Sequence, residues 1–343
     1  MEQEVERLIK GIGEGRSLTR TEAERVMEML LRGEMGEEEI GSLLVGLREK
    51  GETVDELVGF ALAMRMNARD VFAGFAERPL ALVDTCGTGG DGAGTFNVST
   101  VAALVAAGAG AKVAKHGNRS ISSNCGSADV LEALGVNVEK ATERAAECIS
   151  EAGIAFVYAP AAHGATRRAS VARKTVGGST VFNLLGPLTN PARPTAHVAG
   201  VFDARYLEAM AQALGELGTE RAMVVHSAGG MDEIALDGET YVAEWNNGAV
   251  RRYTISARDF GLEEAGVEKL LGGDAAGNAE IIREVMRGER GARRDFVVAG
   301  AAAALYAVGM AEELSGAARM AEEAIDSGAA AKALESLVEL TRE

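Results

Sequence analysis

The stretch DTCGTGGDGAGTFNVST, residues 84–100, decides the fold. Apolar Ala81-Leu82-Val83 precedes it and a helical run at 100–107 follows it. Five glycines (Gly87, Gly89, Gly90, Gly92 and Gly94) let the backbone approach an anion closely and turn its amides towards it. Asn97, Ser99 and Thr100 add side-chain donors and open a helix whose N-terminus favours negative charge. The spacing is not that of a Walker A loop, because no lysine follows the glycines at the required offset. Gly87 to Gly92 matches GxGxxG in letters, but the helix starts near Thr100 rather than within the glycines. The next strand also leads into Lys115 rather than an acidic residue. The stretch therefore predicts a phosphate site of another kind.

Further on, AKHGNRSISSNCGS (residues 114–127) follows an expected strand at 111–114. It brings the full positive charges of Lys115 and Arg119, with His116 and Asn118 as polar neighbours. A donor-rich loop and a cationic loop at the ends of neighbouring strands suit a doubly phosphorylated ligand. The alternation continues with helices at 128–134 and 143–152, a strand at 154–158, a strand at 196–201, a helix at 204–217 and a strand at 222–226. This predicts an α/β fold with a mostly parallel central sheet covered by helices, binding ligands at the carboxyl ends of its strands. Runs at 240–245 and 250–255 flank Asn246-Asn247-Gly248, a hairpin signal. The chain before Val71 is helical throughout. Thr19 with Glu22 and Thr53 with Glu56 are spaced as capping boxes, and a helix at 36–47 stops near Gly51. The expected organisation is a small all-α domain at 1–72 and a large α/β domain at 73–343, joined by a helical segment around 163–190. The tail from Arg293 is helical again.

Composition narrows the function. The formal net charge of −16 disfavours sequence-independent nucleic-acid binding, which needs a basic surface. The N-terminal Met1-Glu2-Gln3-Glu4 is acidic where a secretory leader would be basic, and the Ala-rich run at 297–310 is too short to span a bilayer. Cys86, Cys125 and Cys148 show no CxxC spacing and are expected to be reduced thiols. A cytoplasmic location is expected.

Two further constellations carry chemistry. Met231-Asp232-Glu233-Ile234 places adjacent carboxylates after the strand at 222–226. Read locally, this is a solvated turn or a metal site with equal weight. A diphosphate ligand brings magnesium, which takes one or two carboxylates plus substrate oxygens, and Ser99 has a hydroxyl to add. The second is the basic stretch His163, Arg167, Arg168, Arg173 and Lys174, before what reads as a Gly186-Pro187 turn. It is either a solvated helix face or a place where an arginine fork receives a small carboxylate.

Taken together, DTCGTGGDGAGTFNVST, AKHGNRSISSNCGSADVLEALG, FNLLGPLTNPARP and MDEIA resemble the anthranilate phosphoribosyltransferase family, over almost the whole chain and in the same order. The resemblance implies phosphoribosyl transfer from phosphoribosyl pyrophosphate (PRPP) to anthranilate in tryptophan biosynthesis, with Mg2+, in a homodimer formed through the small α domain. It implies no nucleic-acid or membrane partner and no general acid or base. The positions matching the PRPP site are Gly87, Gly90, Asp91, Thr95, Asn97, Val98, Ser99, Thr100, Lys115, His116, Gly117, Asn118, Arg119, Ser120, Ile121, Ser122, Ser123 and Ser127. Those matching the anthranilate site are Gly87, Asn118 and Arg173, with His116, Pro160, Gly186 and Pro187 lining the approach. Ser99, Asp232 and Glu233 match the metal ligands. The chain departs from the usual family pattern at Gly164 and Thr166, at Gly178-Ser179, and at Asn124-Cys125. Alternatives are a different aromatic acceptor, nucleoside phosphorolysis, and a nucleic-acid-binding paralogue without this activity.

Overall fold

The computed structural model describes residues 2–73, 75, 78–120 and 124–342. Four helices come first: α1 (Glu2–Gly13), α2 (Arg20–Arg32), α3 (Glu37–Lys50) and α4 (Val54–Met66). The two expected capping boxes start α2 and α4. Glu22 N–H donates to Thr19 Oγ1 at 3.3 Å and Thr19 N–H donates back to Glu22 Oε2 at 3.0 Å. Thr53 and Glu56 repeat the exchange at 3.3 and 2.8 Å. Each box satisfies two amides that a helix start leaves unpaired, an effect of about 1 kcal/mol. Glu56 also receives Leu18 N–H and Lys50 Nζ, both at 2.8 Å, so one buried carboxylate fastens the α1–α2 connection to α4.

Among the described residues seven strands follow: β1 (Val83–Asp84), β2 (Val113–Gly117), β3 (Ile154–Tyr158), β4 (Ala196–Gly200), β5 (Arg221–Ser227), β6 (Thr240–Asn246) and β7 (Ala249–Ile255). They form one sheet in the order β3-β2-β1-β4-β5-β6-β7. The first five strands of that order are parallel, and β6 and β7 add an antiparallel hairpin. Asn247 and Gly248 turn the hairpin at φ 52° and 83°, the paired positive values that a two-residue turn of this kind requires. Strand order reverses between β1 and β4. The connections leaving these two strands therefore diverge and open a crevice at their carboxyl ends.

Side-chain alternation splits the sheet between two apolar clusters. Val198, Met223, Val225 and Val242 pack on one face with α5 (Val98–Gly108) and the helix Ala292–Ala307. Ala199, Val201, Ala222, Val224 and Ala243 pack on the other, in a cluster that also contains the cores of α1–α4. Ala169, Ala172, Val181, Phe182, Leu184, Leu185 and Leu188 of the 163–190 segment belong to that same cluster. No helix among the described residues is long and apolar enough to cross a membrane.

Three expectations need correction. The second strand runs to Gly117 rather than ending at 114, so Lys115 and His116 are strand residues, paired in register with Phe156 and Val157 of β3. An interior strand is held by neighbours on both edges and carries polar side chains when each finds a buried partner. Gly186 and Pro187 are not a turn but the last turn of the helix Val181–Leu188. The expected helix at 143–152 is Ala145–Glu151, and a further helix that the sequence reading lacked, Val138–Glu143, precedes it across Arg144.

The α2–α4 crossing yields a stability prediction. A Cβ on Gly59 would lie 2.3 Å from the Arg20 carbonyl oxygen and 2.8 Å from Ala23 Cβ. Gly59→Ala is expected to lower unfolding stability by about 1–3 kcal/mol, measured by urea denaturation, because two backbones must separate. An unchanged midpoint contradicts this.

Candidate active site

The glycine loop leaves β1 at the crevice. Gly89, Gly90, Gly92 and Gly94 take φ values of 62°, 85°, 73° and 67°, a conformation that side chains disfavour, so this loop cannot be rebuilt from other residues without strain. Its entry is pinned to β4, with Thr88 N–H donating to the Gly200 carbonyl at 2.9 Å. Its exit is pinned to the 270–273 segment. Phe96 N–H donates to Leu270 O at 2.8 Å, Gly272 N–H donates to Gly94 O at 3.0 Å, and Thr95 bridges Leu271. Asn97 then opens α5, yet its side chain does not cap that helix. Val98 and Thr100 are buried in the first turn, and Ser99 faces the crevice half-buried.

The acidic pair lies directly beneath the loop. A Cβ on Gly200 would fall 1.6 Å from the Asp232 carbonyl oxygen, so glycine at the end of β4 is what allows this approach. Asp232 Oδ2 accepts Gly89 N–H at 2.7 Å, and Glu233 Oε1 accepts Ser99 N–H at 3.3 Å. Asp91 Oδ2 comes within 3.3 Å of Asp232 N. Three carboxylates thus converge. Desolvation, with Asp91 and Glu233 adding like charge, pushes Asp232 well above the usual carboxylate range. Desolvation likewise pushes Glu233 up to about 7, against the pull of Lys115. A cavity of about 20 Å³ lies among Thr85, Gly87, Ser99, Asp232 and Glu233. No cluster of three His, Cys, Asp or Glu side chains able to hold a metal by itself occurs among the described residues. Excess negative charge around a one-atom space, with an incomplete ligand set, fits a hard divalent cation that takes its remaining oxygens from substrate and water.

The second segment is divided by the structure. Lys115 points under the glycine loop, its Nζ donating to Thr85 O at 2.9 Å and lying 3.4 Å from Ser99 Oγ. His116 points the opposite way, as the next residue of a strand must. Gly117 admits Ser127, since a Cβ there would lie 2.3 Å from Ser127 Oγ. Asn118 is exposed, and its carbonyl accepts Ser127 Oγ at 3.2 Å. Asp129 Oδ2 holds the loop closed by accepting Ser120 N–H at 3.0 Å and Gly126 N–H at 2.9 Å. Arg119 is not brought to the glycine loop. Its guanidinium pairs with Glu132 at 2.6 Å and Asp129 at 3.2 Å on α6 (Ser127–Ala133) and donates to Tyr158 Oη at 3.1 Å. Ile121, Ser122 and Ser123 lie outside the described residues.

On the far side of β2 stand neutral histidines and two arginines, Arg173 and the buried Arg65, whose charge opposes protonation of His116, His163 and His197. His116 Nδ1 lies 2.9 Å from Gly186 O, so it carries the proton and leaves Nε2 bare. Its ring meets that of His163 edge-on at 5.4 Å. Desolvation lowers His116 to about 3, His163 to about 4 and His197 to about 3, keeping all three neutral. Arg173 stacks over Phe182 at 5.1 Å and has no ion-pair partner among the described residues. Phe182 is one helical turn from Gly186, which places the free guanidinium on the helix that contacts His116. Pro160, in the helix Ala159–Ala162, is half-buried three residues before His163. A larger cavity of about 340 Å³ opens elsewhere, among Arg221, Glu244, Arg251 and Tyr306. Its two arginines share one carboxylate, with Arg221 and Arg251 paired to Glu244 at 2.8 and 3.4 Å.

Sequence reasoning missed three residues here. Asn183 Nδ2 donates to Thr88 O at 3.3 Å and joins the Arg173 side to the glycine loop. Asn190 Nδ2 donates to Asp84 Oδ2 at 2.8 Å. Asn278 holds Asn97, its Nδ2 donating to Asn97 Oδ1 at 3.1 Å. The signal available for Asn278 was a polar residue following Gly272-Gly273-Asp274.

A helical bundle, an α/β domain and a crevice built for an anion define a class, and comparison with known proteins names it. Residues 80–331 match the family model described as "Glycosyl transferase family, a/b domain", and residues 6–68 match "Glycosyl transferase family, helical bundle domain". The anthranilate phosphoribosyltransferase of Rubrobacter xylanophilus is 50% identical over 329 residues, covering 96% of this chain and 95% of that protein. The crystal structure of the Thermus thermophilus enzyme of the same name superposes with TM-score 0.90 at 43% identity, covering 98% of this chain and 99% of that one. The Saccharomyces cerevisiae enzyme, solved in complex with PRPP and Mg, gives TM-score 0.83 at 27% identity over 94% and 93% of the two chains. The chain belongs to the anthranilate phosphoribosyltransferase family.

The neutral histidines carry a pH prediction. Their folded-state values lie below the unfolded value near 6.5, so their contribution is fully present above that pH and is lost as pH falls below it. The histidines are expected to lower stability, measured by urea denaturation, from pH 7 to pH 5 by up to about 1.4 kcal/mol per pH unit each, against the opposite trend of the raised carboxylates Asp84, Asp232 and Glu233. His197→Phe removes one buried imidazole and is expected to flatten this slope. A slope the same as wild type counts against it.

Proposed function

We propose that this chain transfers the phosphoribosyl group of PRPP to anthranilate, releasing diphosphate and forming N-(5-phosphoribosyl)anthranilate. The observation that carries the reading is the acidic pair pressed against an anion-binding loop at the carboxyl ends of β1 and β4. Carboxylates beside phosphate-facing amides make sense where a divalent cation joins them. That favours a diphosphate donor over the free phosphate of nucleoside phosphorolysis. The names and bound ligands of the relatives support the same donor and acceptor.

The roles follow from position. The amides of the glycine loop and the first turn of α5 receive the diphosphate, and Lys115 adds positive charge from below. Asp232, Glu233 and the Ser99 hydroxyl are the residues that would hold Mg2+, which supplies positive charge to the departing diphosphate when bound. The ribose C1–O bond breaks as the C1–N bond to the anthranilate amine forms, with oxocarbenium character at C1 as in glycoside chemistry. The amine is neutral at pH 7, so no strong base is needed before attack, and its proton leaves once the bond exists. Arg173 receives the anthranilate carboxylate, and neutral His116 borders the ring without placing a second charge beside it. Catalysis here is chiefly positioning and charge stabilisation.

Incubation with PRPP, magnesium and anthranilate is expected to consume anthranilate fluorescence. Folded protein that shows no turnover contradicts the reading. Arg173→Ala is expected to raise the anthranilate KM roughly 10- to 100-fold while leaving the PRPP KM nearly unchanged, the loss of one charged hydrogen-bonding partner. Equal rises in both would show that Arg173 does not serve the acceptor. Asp232→Ala combined with Glu233→Ala is expected to raise the magnesium concentration for half-maximal rate at least about tenfold. An unchanged metal titration removes the pair from the metal site.

A further inference from the structure

The two donor-facing segments are joined by a chain of side-chain amides that begins in a helix outside both. Asn278 lies in the first turns of the helix Ala275–Met286 and is 1% exposed. Its Oδ1 accepts Gly273 N–H at 2.7 Å, and its Nδ2 donates to Asn97 Oδ1 at 3.1 Å. Asn97 Nδ2 in turn donates to the Cys125 carbonyl at 3.1 Å, in the loop that closes onto α6. The Asn278 amide also hydrogen-bonds the Cys125 thiol.

The ends of this chain fix its polarity. Gly273 N–H only donates and the Cys125 carbonyl only accepts, so each amide between them has one allowed orientation. The arrangement explains why Asn97, a favoured helix-capping residue, leaves α5 uncapped by its side chain: that side chain is engaged by Asn278 and Cys125. It also explains Gly272. A Cβ there would lie 2.7 Å from Asn278 Oδ1 and 2.8 Å from Phe96 Cα. The same helix packs on α6, and Arg283 donates to Ala133 O at 3.2 Å at its far end. One helix therefore holds the exit of the glycine loop, through Gly273, and the foot of the 118–127 loop, through α6.

We propose that Asn278 is a positioning residue for the donor, setting the separation of the two phosphate-facing loops through Asn97. This rests on the donor reading given above. The hydrogen bonds of Asn278 run to Gly273 and Asn97, whereas Arg173 and His116 are held by Phe182 and Gly186, so its effect is expected on the donor and not on the acceptor.

Steady-state kinetics with PRPP and anthranilate varied separately test this in the full-length protein, with thermal melting to confirm folding. Asn278→Ala is expected to raise the PRPP KM roughly tenfold or more, with the anthranilate KM within about twofold of wild type, as expected for loss of buried hydrogen bonds at one end of the site. Combined with Asn97→Ala, the effects are expected not to multiply, because both break one chain. Asn278→Asp keeps the shape and serves if the alanine variant does not fold. Ionised, the introduced carboxyl cannot donate to Asn97; protonated, it can, so its donor defect is expected to shrink as pH falls from about 9 to 6. A folded variant with unchanged PRPP KM, an equal rise in both KM values, or multiplicative effects with Asn97→Ala overturns the proposal. Wild-type protein that fails to bind PRPP by calorimetry overturns the donor reading and this assignment with it. Wild-type turnover beside an unaffected variant overturns the assignment of Asn278 alone.

Discussion

One carboxylate in the middle of the sheet sets the geometry of the whole site. Asp84, at the end of β1, is fully buried. Its Oδ1 accepts His116 N–H at 3.1 Å and its Oδ2 accepts Asn190 Nδ2 at 2.8 Å. Desolvation pushes it up to about 6, opposed first by the charge of Lys115 and then by these donors. A buried carboxylate is tolerated only where its oxygens are matched by donors and by opposite charge. Asn190 also donates to the Ala114 carbonyl at 2.8 Å. The roots of β1 and β2 and the end of the 163–190 segment are thereby tied at one point and cannot shift independently. The glycine loop, Lys115, His116 and Gly186 all take their places from it.

The charge around this point is unbalanced by construction. Asp84, Asp91, Asp232 and Glu233 converge on the loop root, and Lys115 is the cation the structure places among them. Arg119, which appears in sequence as a second cation, is spent on Glu132 and Asp129. Free diphosphate would meet net repulsion in such a crevice, whereas diphosphate that arrives with a divalent cation would not. The deficit of positive charge is therefore the physical link between the acidic pair and the nature of the donor.

This also shows where sequence is informative and where it is not. The capping boxes at Thr19 and Thr53, the parallel alternation and the hairpin at Asn247-Gly248 are local signals, and local hydrogen bonds enforce them. The glycine loop was legible because its φ values demand glycine. Lys115 and His116 were placed one element too late, since their polarity suggests a loop and only the sheet neighbours reveal a buried strand. Arg119 reads in sequence as a free cation because its partners lie 10 and 13 residues away on α6. Asn190 and Asn278 act over 106 and 181 residues of separation, and an isolated asparagine carries no mark of a distant partner.

The two halves of the crevice use opposite physics, and one helix couples them. On the proposed roles, the donor side relies on amides and charge, and the acceptor side on neutral imidazoles and Arg173 stacked on an aromatic ring. Asn183 belongs to the helix Val181–Leu188, where its Oδ1 accepts Thr180 N–H at 3.1 Å and its Nδ2 reaches Thr88 O in the glycine loop at 3.3 Å. Phe182, under Arg173, precedes it, and Gly186, against His116, follows within a turn. A displacement of this helix therefore moves Arg173, the wall at His116 and the edge of the glycine loop together. On the proposed roles, alignment of amine and C1 is then a property of one rigid element rather than of two independently mobile loops.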